Sequence, residues 1–393
     1  MSSFVPSPES WAAQVARIHA TPTRLVLAAT GGGSRAISEL LEVPGASRTV
    51  LEASVPYAAP ALIAWLGVKP EHFCEPRTAR AMAMVGFQRA CAYAAEADST
   101  DCGWPVAGIG CTASLASDRP KRGPHRAHVA AQTVAMTLTH SLELSKGRRP
   151  RADEERLVAA LVLNIVAEAC GLDDRLALDL LPGEREETTR TAAPPAWQEL
   201  LLGKTEAIRA CPASAEADPT SVARPCLVFP GAFNPLHDGH RHMAALASQR
   251  LRSPVEFEIS IANVDKAPLD YTEMRGRADQ FERGATLWFT RAATFVQKSR
   301  IFPGATFIVG ADTITRIADP CYYGDDAACQ AGIARIVANG CRFLVFGRRT
   351  ETGFQALPDL RLPEALRRIC DEIPAEDFRH DVSSTELRRA RES

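Results

Sequence analysis

Short apolar runs alternate with helix-like segments along this chain of 393 residues, and this alternation constrains the fold more than any other feature. Arg24–Ala29 is an apolar run of strand length, and Arg35–Leu41, which follows it, has helical periodicity. Strands that alternate with helices pack in layers around a common core, so an α/β fold is predicted. The other elements predicted in this first part are strands at Ser47–Ala53, Val106–Cys111 and His128–Thr137, a long helix from Pro76 toward Ala97 and an amphipathic helix at Asp153–Cys170.

The second part of the chain repeats the alternation. A parallel, doubly wound sheet is the natural expectation for it, with a ligand at the carboxyl ends of the strands. The predicted strands are Cys226–Phe229, Val255–Ile261, Thr306–Val309 and Arg342–Phe346, and the predicted helices are Gly239–Leu251 and a serine-capped terminal helix at Ser384–Arg391.

A stretch rich in proline and glycine, from about Gly171 to Pro225, separates the two parts. It lacks periodicity, so it is predicted to be a linker with one short helix at Trp197–Arg209. A chain of this length is also too long for one core of the usual ~150 residues. The predicted domains are therefore 1–170 and 225–393, joined by a linker at 171–224.

Composition excludes several classes of protein. The 45 basic and 47 acidic residues give a net charge of −2, which argues against a nucleic-acid partner. The longest apolar run, Leu157–Cys170, is shorter than the ~20 residues that cross a bilayer. The first residues have no basic or apolar signal segment, so a cytoplasmic protein without a membrane partner is predicted. The 11 cysteines form no C-x-x-C pair and are interpreted as reduced, small apolar residues.

Residues 229–240, FPGAFNPLHDGH, are the clearest sign of chemistry in the sequence. A strand ends, a turn follows, and the spacing of three puts His237 and His240 on one face of the first helical turn. The N–H groups at a helix start favour phosphate, and Gly231 allows a nucleotide to approach the backbone closely. The histidine pair alone would fit a zinc site or two surface histidines equally well.

The complete segment resembles the signature G-x-F-x-P-x-H-x-G-H of the nucleotidylyltransferase superfamily. The matching residues are Gly231, Phe233, Pro235, His237, Gly239 and His240. A second family signature, near I-S-S-T-x-I-R, resembles Val382–Arg388, where hydroxyl groups at a helix start and an arginine one turn later form a second phosphate cradle. The resemblance covers about Pro225 to the C-terminus and implies a Rossmann-like doubly wound parallel sheet.

Three shorter segments resemble nicotinate and nicotinamide mononucleotide adenylyltransferases. Phe307–Asp312 resembles the G-A-D segment beside the bound nucleotides, Asn263–Lys266 resembles a lysine-bearing loop, and Phe346–Arg349 resembles an arginine-bearing strand end. From the residues alone, Asp312 could instead be a helix cap and Lys266 a solvated surface residue. The resemblance implies transfer of AMP from ATP to a mononucleotide phosphate, with release of pyrophosphate.

The resemblance also assigns roles to residues. The catalytic residues it implies are His237, His240, Lys266 and Arg388. The ligands are ATP and a small phosphorylated acceptor, with Mg²⁺ arriving on the ATP. A catalytically silent nucleotide-binding or regulatory protein, a cytidylyltransferase that acts on another acceptor, and a homo-oligomer all stay open. The nucleotide-binding residues that it implies are Gly231, Ala232, Phe233, Asn234, Gly239, Gly310, Asp312, Arg348, Ser383, Ser384 and Thr385.

Residues 30–34, TGGGS, follow the first strand but lack the Lys-Ser/Thr ending of a phosphate-binding Walker loop. Leu41–Ser47, Tyr57 and Leu66–Val68 resemble the CinA-type (competence-damage) domain, which includes pyridine-nucleotide amidases; the resemblance covers about residues 23–137. It places the family's nucleophilic serine on Thr30 and its lysine on Leu62. Leucine cannot accept a proton, so no amidase activity is predicted unless Lys69 acts instead, and the glycines form either a ligand loop or a turn.

Overall fold

The computed structural model describes residues 8–97, 104–118, 123–210, 226–262, 268–282, 284–350 and 353–378. Backbone contacts divide the chain into two compact units. The first comprises Met1–Gln198 together with Asp265–Glu273, and the second comprises Glu199–Val264 and Met274–Ser393. Each unit contains a sheet with helices, so the predicted α/β class with two α/β domains is confirmed.

Among the described residues, the sheet of the first unit has six strands in the order β2-β1-β3-β4-β5-β6. β1 is parallel to β2 and β3, and the later neighbours are antiparallel. The strands are β1 (Arg24–Thr30), β2 (Val50–Ser54), β3 (Val106–Ser114), β4 (His125–Thr133), β5 (Met136–Leu144) and β6 (Arg185–Ala192).

Helices cover both faces of this sheet. Leu25 and Leu27 of β1 belong to the larger core cluster, while Ala28 packs with an apolar cluster on the opposite face. A Cβ atom on Gly108 of β3 would lie 2.0 Å from the carbonyl oxygen of Ala83 in the helix Pro76–Ala97, so only glycine permits this helix to approach β3 so closely. The helices are α1 (Pro8–His19), α2 (Arg35–Glu42), α3 (Ala46–Thr49), α4 (Ala59–Leu66), α5 (Pro76–Ala97) and α6 (Arg151–Ala169).

Three predicted elements of the first unit differ in the structure. The predicted strand Ser47–Ala53 begins as α3 and becomes β2 only at Val50. The predicted strand His128–Thr137 is instead the hairpin of β4 and β5, because the Thr133 hydroxyl accepts N–H groups of Ala135 and Met136 and reverses the chain. The predicted amphipathic helix is α6, in which every residue from 157 to 167 is buried.

The predicted linker at 171–224 is wrong for much of its length. Arg185–Ala192 is β6, and two further elements, α7 (Pro195–Leu201) and β7 (Ala207–Ala210), follow it. β6 pairs with β5 as the edge of the first sheet, and most of its side chains are exposed. A charged edge strand has no apolar alternation, so its sequence resembles a linker. Residues 211–224 lie outside the described part.

The second sheet has the strand order β15-β12-β11-β8-β9-β10-β7. All neighbours are parallel except β7, which is antiparallel to β10. The order reverses at β8, which confirms the predicted Rossmann-like doubly wound sheet with a switch point between β8 and β11. The strands are β8 (Leu227–Pro230), β9 (Glu256–Ser260), β10 (Thr286–Thr290), β11 (Thr306–Gly310), β12 (Arg342–Phe346) and β15 (Cys370–Ile373), and β13 (Arg348–Thr350) and β14 (Gly353–Gln355) form a separate hairpin.

Phenylalanines from neighbouring strands form much of the core beside this sheet. Phe307 of β11 and Phe343 of β12 are fully buried, and the Phe295 ring lies 5.5 Å from Phe307. Inside the unit, the Lys298 ammonium contacts both Glu258 carboxylate oxygens at 2.6 Å. The remaining helices are α8 (Asp238–Leu251), α9 (Tyr271–Ala278), α10 (Phe295–Ile301), α11 (Ala311–Ile317), α12 (Asp326–Ala338) and α13 (Glu364–Arg367), with 3₁₀ turns at Pro320–Tyr322 and Leu357–Asp359. The first three residues of α9 belong to the first unit, and the rest of this helix belongs to the second.

A buried ion pair in the first unit provides a test of its discontinuous composition. Arg80 of α5 lies 3.0 Å from Asp270 and 3.2 Å from Glu273, and the Asp270 side chain is only 3% exposed. Arg80→Gln would leave a buried carboxylate without its cation, so we expect a loss of about 3 kcal/mol of unfolding free energy. Arg89→Gln is the matched control, because Arg89 pairs with Glu52 and is 43% exposed. Equal losses in urea denaturation of the two variants would contradict the assignment of Asp265–Glu273 to this unit.

Candidate functional site

The turn after β8 has a glycine for a local steric reason. The Gly231 N–H donates to the Glu258 carbonyl at 2.9 Å. A Cβ atom at this position would lie 2.5 Å from the ring of Phe233. A side chain at position 231 would therefore displace the Phe233 ring.

Phe233 is buried and has φ of +43°, a left-handed conformation that is strained for a residue with a bulky side chain. Its ring packs edge-on against Phe229, Phe257 and Phe281 at centroid distances of 5.4–5.5 Å. This packing offsets the strain. Because the ring is only 1% exposed, Phe233 would contact a ligand through its backbone.

His237 and His240 stack on each other at the beginning of α8. Their ring centroids are 3.8 Å apart, and the planes differ by 28°. His237 is the N-cap residue, and its N–H donates to His240 Nδ1 at 3.3 Å. The His240 ring also packs 5.1 Å from Phe233. The spacing of three thus places both imidazoles together beside the first N–H groups of α8, among them that of buried Gly239.

Gly310 is the last residue of β11, Asp312 follows this strand, and Arg348 follows β12. The Arg348 guanidinium donates to the Asp312 carboxylate at 2.7 Å, and both side chains are about half exposed, 46% and 51%. The N-cap of α11 is Gly310, so Asp312 lies in the first turn and is not the helix cap. A Cβ atom on Gly310 would lie 2.7 Å from the Asp312 carboxylate.

The strand order brings these groups to one edge of the sheet. β8, β11 and β12 are adjacent and parallel, so their carboxyl ends lie side by side. The residues that follow them are the loop with Ala232, Asn234 and the histidines, the Gly310–Asp312 turn and Arg348. The predicted residues Lys266, Ser383, Ser384, Thr385 and Arg388, and the predicted terminal helix, lie outside the described residues.

Arg277, in the last turn of α9, and Gln280, two residues after that helix, contact the histidine loop, here defined as Gly231–His237. Neither residue was predicted from the sequence. Arg277 is buried and donates to the Ala232 carbonyl at 3.0 Å. The Gln280 amide accepts from the Leu236 N–H at 2.8 Å and donates to the Phe233 carbonyl at 3.0 Å. An arginine and a glutamine at a short helix end resemble ordinary surface residues, so only the contacts reveal them.

The last described residue, Phe378, packs at the same side of the unit. Its ring lies 5.1 Å from Phe346 at the end of β12 and 5.2 Å from His242 of α8. Phe378 precedes Ser383 by five residues. The described chain therefore lies beside the carboxyl end of β12 and beside the first half of α8, shortly before the second predicted phosphate motif begins.

In the first unit, the position onto which the resemblance places the lysine of the amidases has apolar surroundings. Thr30 is the last residue of β1 and is 7% exposed. Leu62 of α4 is buried with Ala28, Leu66 and Met82. A charged lysine at position 62 would be costly in these surroundings, and leucine is consistent with them.

The glycine loop after β1 is bonded to a side chain of the same unit. The Glu155 carboxylate accepts the N–H groups of Gly33 and Arg35 at 3.0 and 3.1 Å and the Ser34 hydroxyl at 3.2 Å. Gly31 has φ of +74°, and a Cβ atom there would lie 1.8 Å from the Ala113 carbonyl oxygen. The donors that could bind a phosphate are thus engaged by a carboxylate, which favours the turn interpretation.

Two other reactive side chains lie near Thr30. Cys111 donates its thiol to the Gly32 carbonyl at 3.4 Å, and burial raises the pKa of that thiol, so it stays protonated and weakly nucleophilic. His128 shares a cross-strand row with Thr30, with Thr112 between them. Burial lowers the pKa of His128 to about 4, so its imidazole is neutral at pH 7.

Among the described residues, none of the helices is both long enough and apolar enough to cross a membrane. The described histidine, cysteine, aspartate and glutamate side chains also form no group of three or more arranged to bind a metal ion.

Solved structures of competence-damage proteins are similar to part of this chain. The competence/damage inducible protein CihA from Agrobacterium tumefaciens is 18% identical, with 43% of this chain and 99% of that chain covered and a TM-score of 0.32. A CinA superfamily protein from Escherichia coli is 14% identical, with 43% and 91% covered and a TM-score of 0.31. A competence or damage-inducible protein from Enterobacter asburiae is 16% identical, with 42% and 98% covered and a TM-score of 0.30.

These neighbours carry the family name that the motifs of the N-terminal part resemble. Neither a family model nor a curated protein matches the chain.

Replacing Glu155 tests whether the glycine loop is a structural turn. Glu155→Ala removes the acceptor of three hydrogen bonds, so we expect the unfolding free energy to fall by about 1–3 kcal/mol. Glu39→Ala is the control, because the Glu39 carboxylate pairs with the exposed Arg35 side chain one turn away. Chemical denaturation of both variants is the measurement. If the Glu155→Ala protein were as stable as the Glu39→Ala protein, the structural role of Glu155 in the glycine loop would be contradicted.

Proposed function

We propose that the second unit is a nucleotidylyltransferase that transfers AMP from ATP to the phosphate of nicotinate or nicotinamide mononucleotide. The observation that carries the proposal is the meeting of the histidine loop, the Gly310–Asp312 turn and Arg348 at the switch point of a doubly wound sheet. The signatures in residues 229–240 and 382–388 support the superfamily, and the resemblance of residues 263–266, 307–312 and 346–349 supports the substrate class. We further propose that the first unit is a CinA-like domain without amidase activity.

In the proposed reaction, a phosphate oxygen of the mononucleotide attacks the α-phosphorus of ATP in line. The bond from that phosphorus to the bridging oxygen breaks, and its electron pair leaves with pyrophosphate. No covalent intermediate with the protein is needed, so the chain must position both phosphates and stabilise developing negative charge. The His237 and His240 imidazoles and the N–H groups at the start of α8 are suited to this task.

Fixed positive charge completes the proposed site. Arg348 is half exposed and is directed by Asp312, so its remaining guanidinium donors can bind a phosphate. We assign further charge to Lys266 and Arg388 on the basis of their motifs. Mg²⁺ bound to the ATP would neutralise phosphate oxygens and keep much of its water. Asp312 is engaged by Arg348, which fits an ion held mainly by the nucleotide.

His240→Ala tests the proposed site. Loss of a donor that stabilises the transition state should lower kcat/KM by about a hundredfold or more while the thermal unfolding midpoint changes little. Gln249→Ala, at an exposed position in the last turn of the same helix, is the control and should retain parental turnover. The measurement is pyrophosphate release from ATP with each mononucleotide. Parental turnover by His240→Ala would rule out the assigned site.

The same assay separates the alternatives. The parent protein is incubated with each nucleoside triphosphate and a panel of phosphorylated acceptors. Pyrophosphate from CTP but not from ATP would identify a cytidylyltransferase. Binding of ATP without pyrophosphate release from any acceptor would identify a silent nucleotide-binding protein. We expect release with ATP and a pyridine mononucleotide.

We predict no ammonia release from nicotinamide mononucleotide by the full chain. A hydroxyl group is a weak nucleophile until a neighbouring base accepts its proton, and Leu62 stands where that base is expected. Thr30→Ala is the control, because this variant lacks the hydroxyl group that would act as the nucleophile. Ammonia production clearly above this control would contradict the prediction. Lys69→Ala and His128→Gln would then identify the group that serves as the base.

A further inference from the structure

The histidine loop contains the strained residue Phe233 and is hydrogen-bonded to two side chains, one at the end of α9 and one just beyond it. We propose that Gln280 and Arg277 are positioning residues, which set the backbone of the histidine loop for its nucleotide ligand. The proposal rests on the proposed function for the identity of that ligand. It assigns neither residue a contact with the reacting atoms.

Gln280 joins two points of the loop that are three residues apart. Its side-chain oxygen accepts from the Leu236 N–H, and its side-chain nitrogen donates to the Phe233 carbonyl. The N–H of the next residue, His237, donates to His240 Nδ1. Two consecutive N–H groups are thus bonded to side chains, so a change at Gln280 is transmitted directly to the stacked imidazoles.

Arg277 fixes the first half of the loop in the same way. Its guanidinium donates to the Ala232 carbonyl at 3.0 Å and is buried, so this bond is shielded from water. The carbonyl and the N–H of one peptide unit point in opposite directions. When the carbonyls of Ala232 and Phe233 face α9, the N–H groups of Phe233 and Asn234 are directed away from α9.

Packing alone does not define this geometry. The buried ring of Phe233 accommodates its left-handed φ, and the peptide planes before and after Phe233 each contain a carbonyl that accepts a hydrogen bond from a side chain. The bonds from Arg277 to the Ala232 carbonyl and from Gln280 to the Phe233 carbonyl orient those two planes, and the bond from the Leu236 N–H to Gln280 orients the plane between Pro235 and Leu236. Loops of this kind need supporting contacts to hold a binding geometry within a fraction of an ångström.

The test compares three variants of the full chain. Gln280→Leu removes both hydrogen bonds, Gln280→Glu keeps an acceptor for the Leu236 N–H, and Glu282→Gln is the matched control. Glu282 lies two residues away, and its exposed carboxylate lies 2.9 Å from the Arg241 guanidinium. Two measurements are made on each protein. One is the ¹H–¹³C NMR spectrum of the histidine rings without nucleotide, assigned with His237→Gln and His240→Gln, and the other is pyrophosphate release.

We expect Gln280→Leu to shift the His237 and His240 resonances, to leave the other histidines in place and to lower kcat at least about tenfold. Gln280→Glu should have smaller effects, and Glu282→Gln should match the parent. Unshifted His237 and His240 resonances in Gln280→Leu would overturn the positioning role. If Gln280→Leu does not fold, the same criterion applies to Gln280→Glu. A parent protein that releases no pyrophosphate would contradict the proposed function, while the spectra still decide the positioning role.

Discussion

Parallel pairing of β8 with both β9 and β11 is the constraint on which the second unit depends. A central strand whose neighbours are reached by connections in opposite directions leaves a crevice at its carboxyl end. The turn after β8 must enter this crevice, and its glycine and buried phenylalanine fit the space that is left. The stacking of the histidines follows from this turn, because the loop ends at the N-cap of α8. Sheet topology therefore determines where the two histidines lie.

Elements with a strong local signal could be predicted from the sequence. The strands β1, β8, β11 and β12 are buried apolar runs, and α5 begins at a proline, so their boundaries agree with the predictions within a few residues. β6 could not be predicted, because its side chains lie mostly in water and its strand conformation comes from pairing with β5. The hairpin between β4 and β5 was missed because Val134 and Ala135 are not typical turn residues.

In the candidate site, too, some residues have a local sequence signal and others have none. Its histidines and glycines lie in one short segment, where residue type and spacing are informative. Arg277 lies 45 residues after the Ala232 carbonyl to which it donates, and Gln280 lies 47 residues after the Phe233 carbonyl to which it donates. Nothing in their local sequence distinguishes them from solvated residues. Contacts between distant segments decide such roles, and a single sequence contains no record of them.

The glycine loop after β1 and the histidine loop after β8 show why composition alone cannot assign a phosphate site. Both follow a buried strand and precede a helix, which favours anions at each helix start. In the first unit, Glu155 lies about 120 positions away in the sequence and supplies the anion itself, so the N–H groups of Gly33 and Arg35 are already bonded. At the second loop, the carboxylate next to the site, Asp312, is bonded to Arg348 and half exposed. An incoming phosphate can therefore compete for Arg348 in water-accessible surroundings, whereas at the first loop it would have to displace a carboxylate held by three donors.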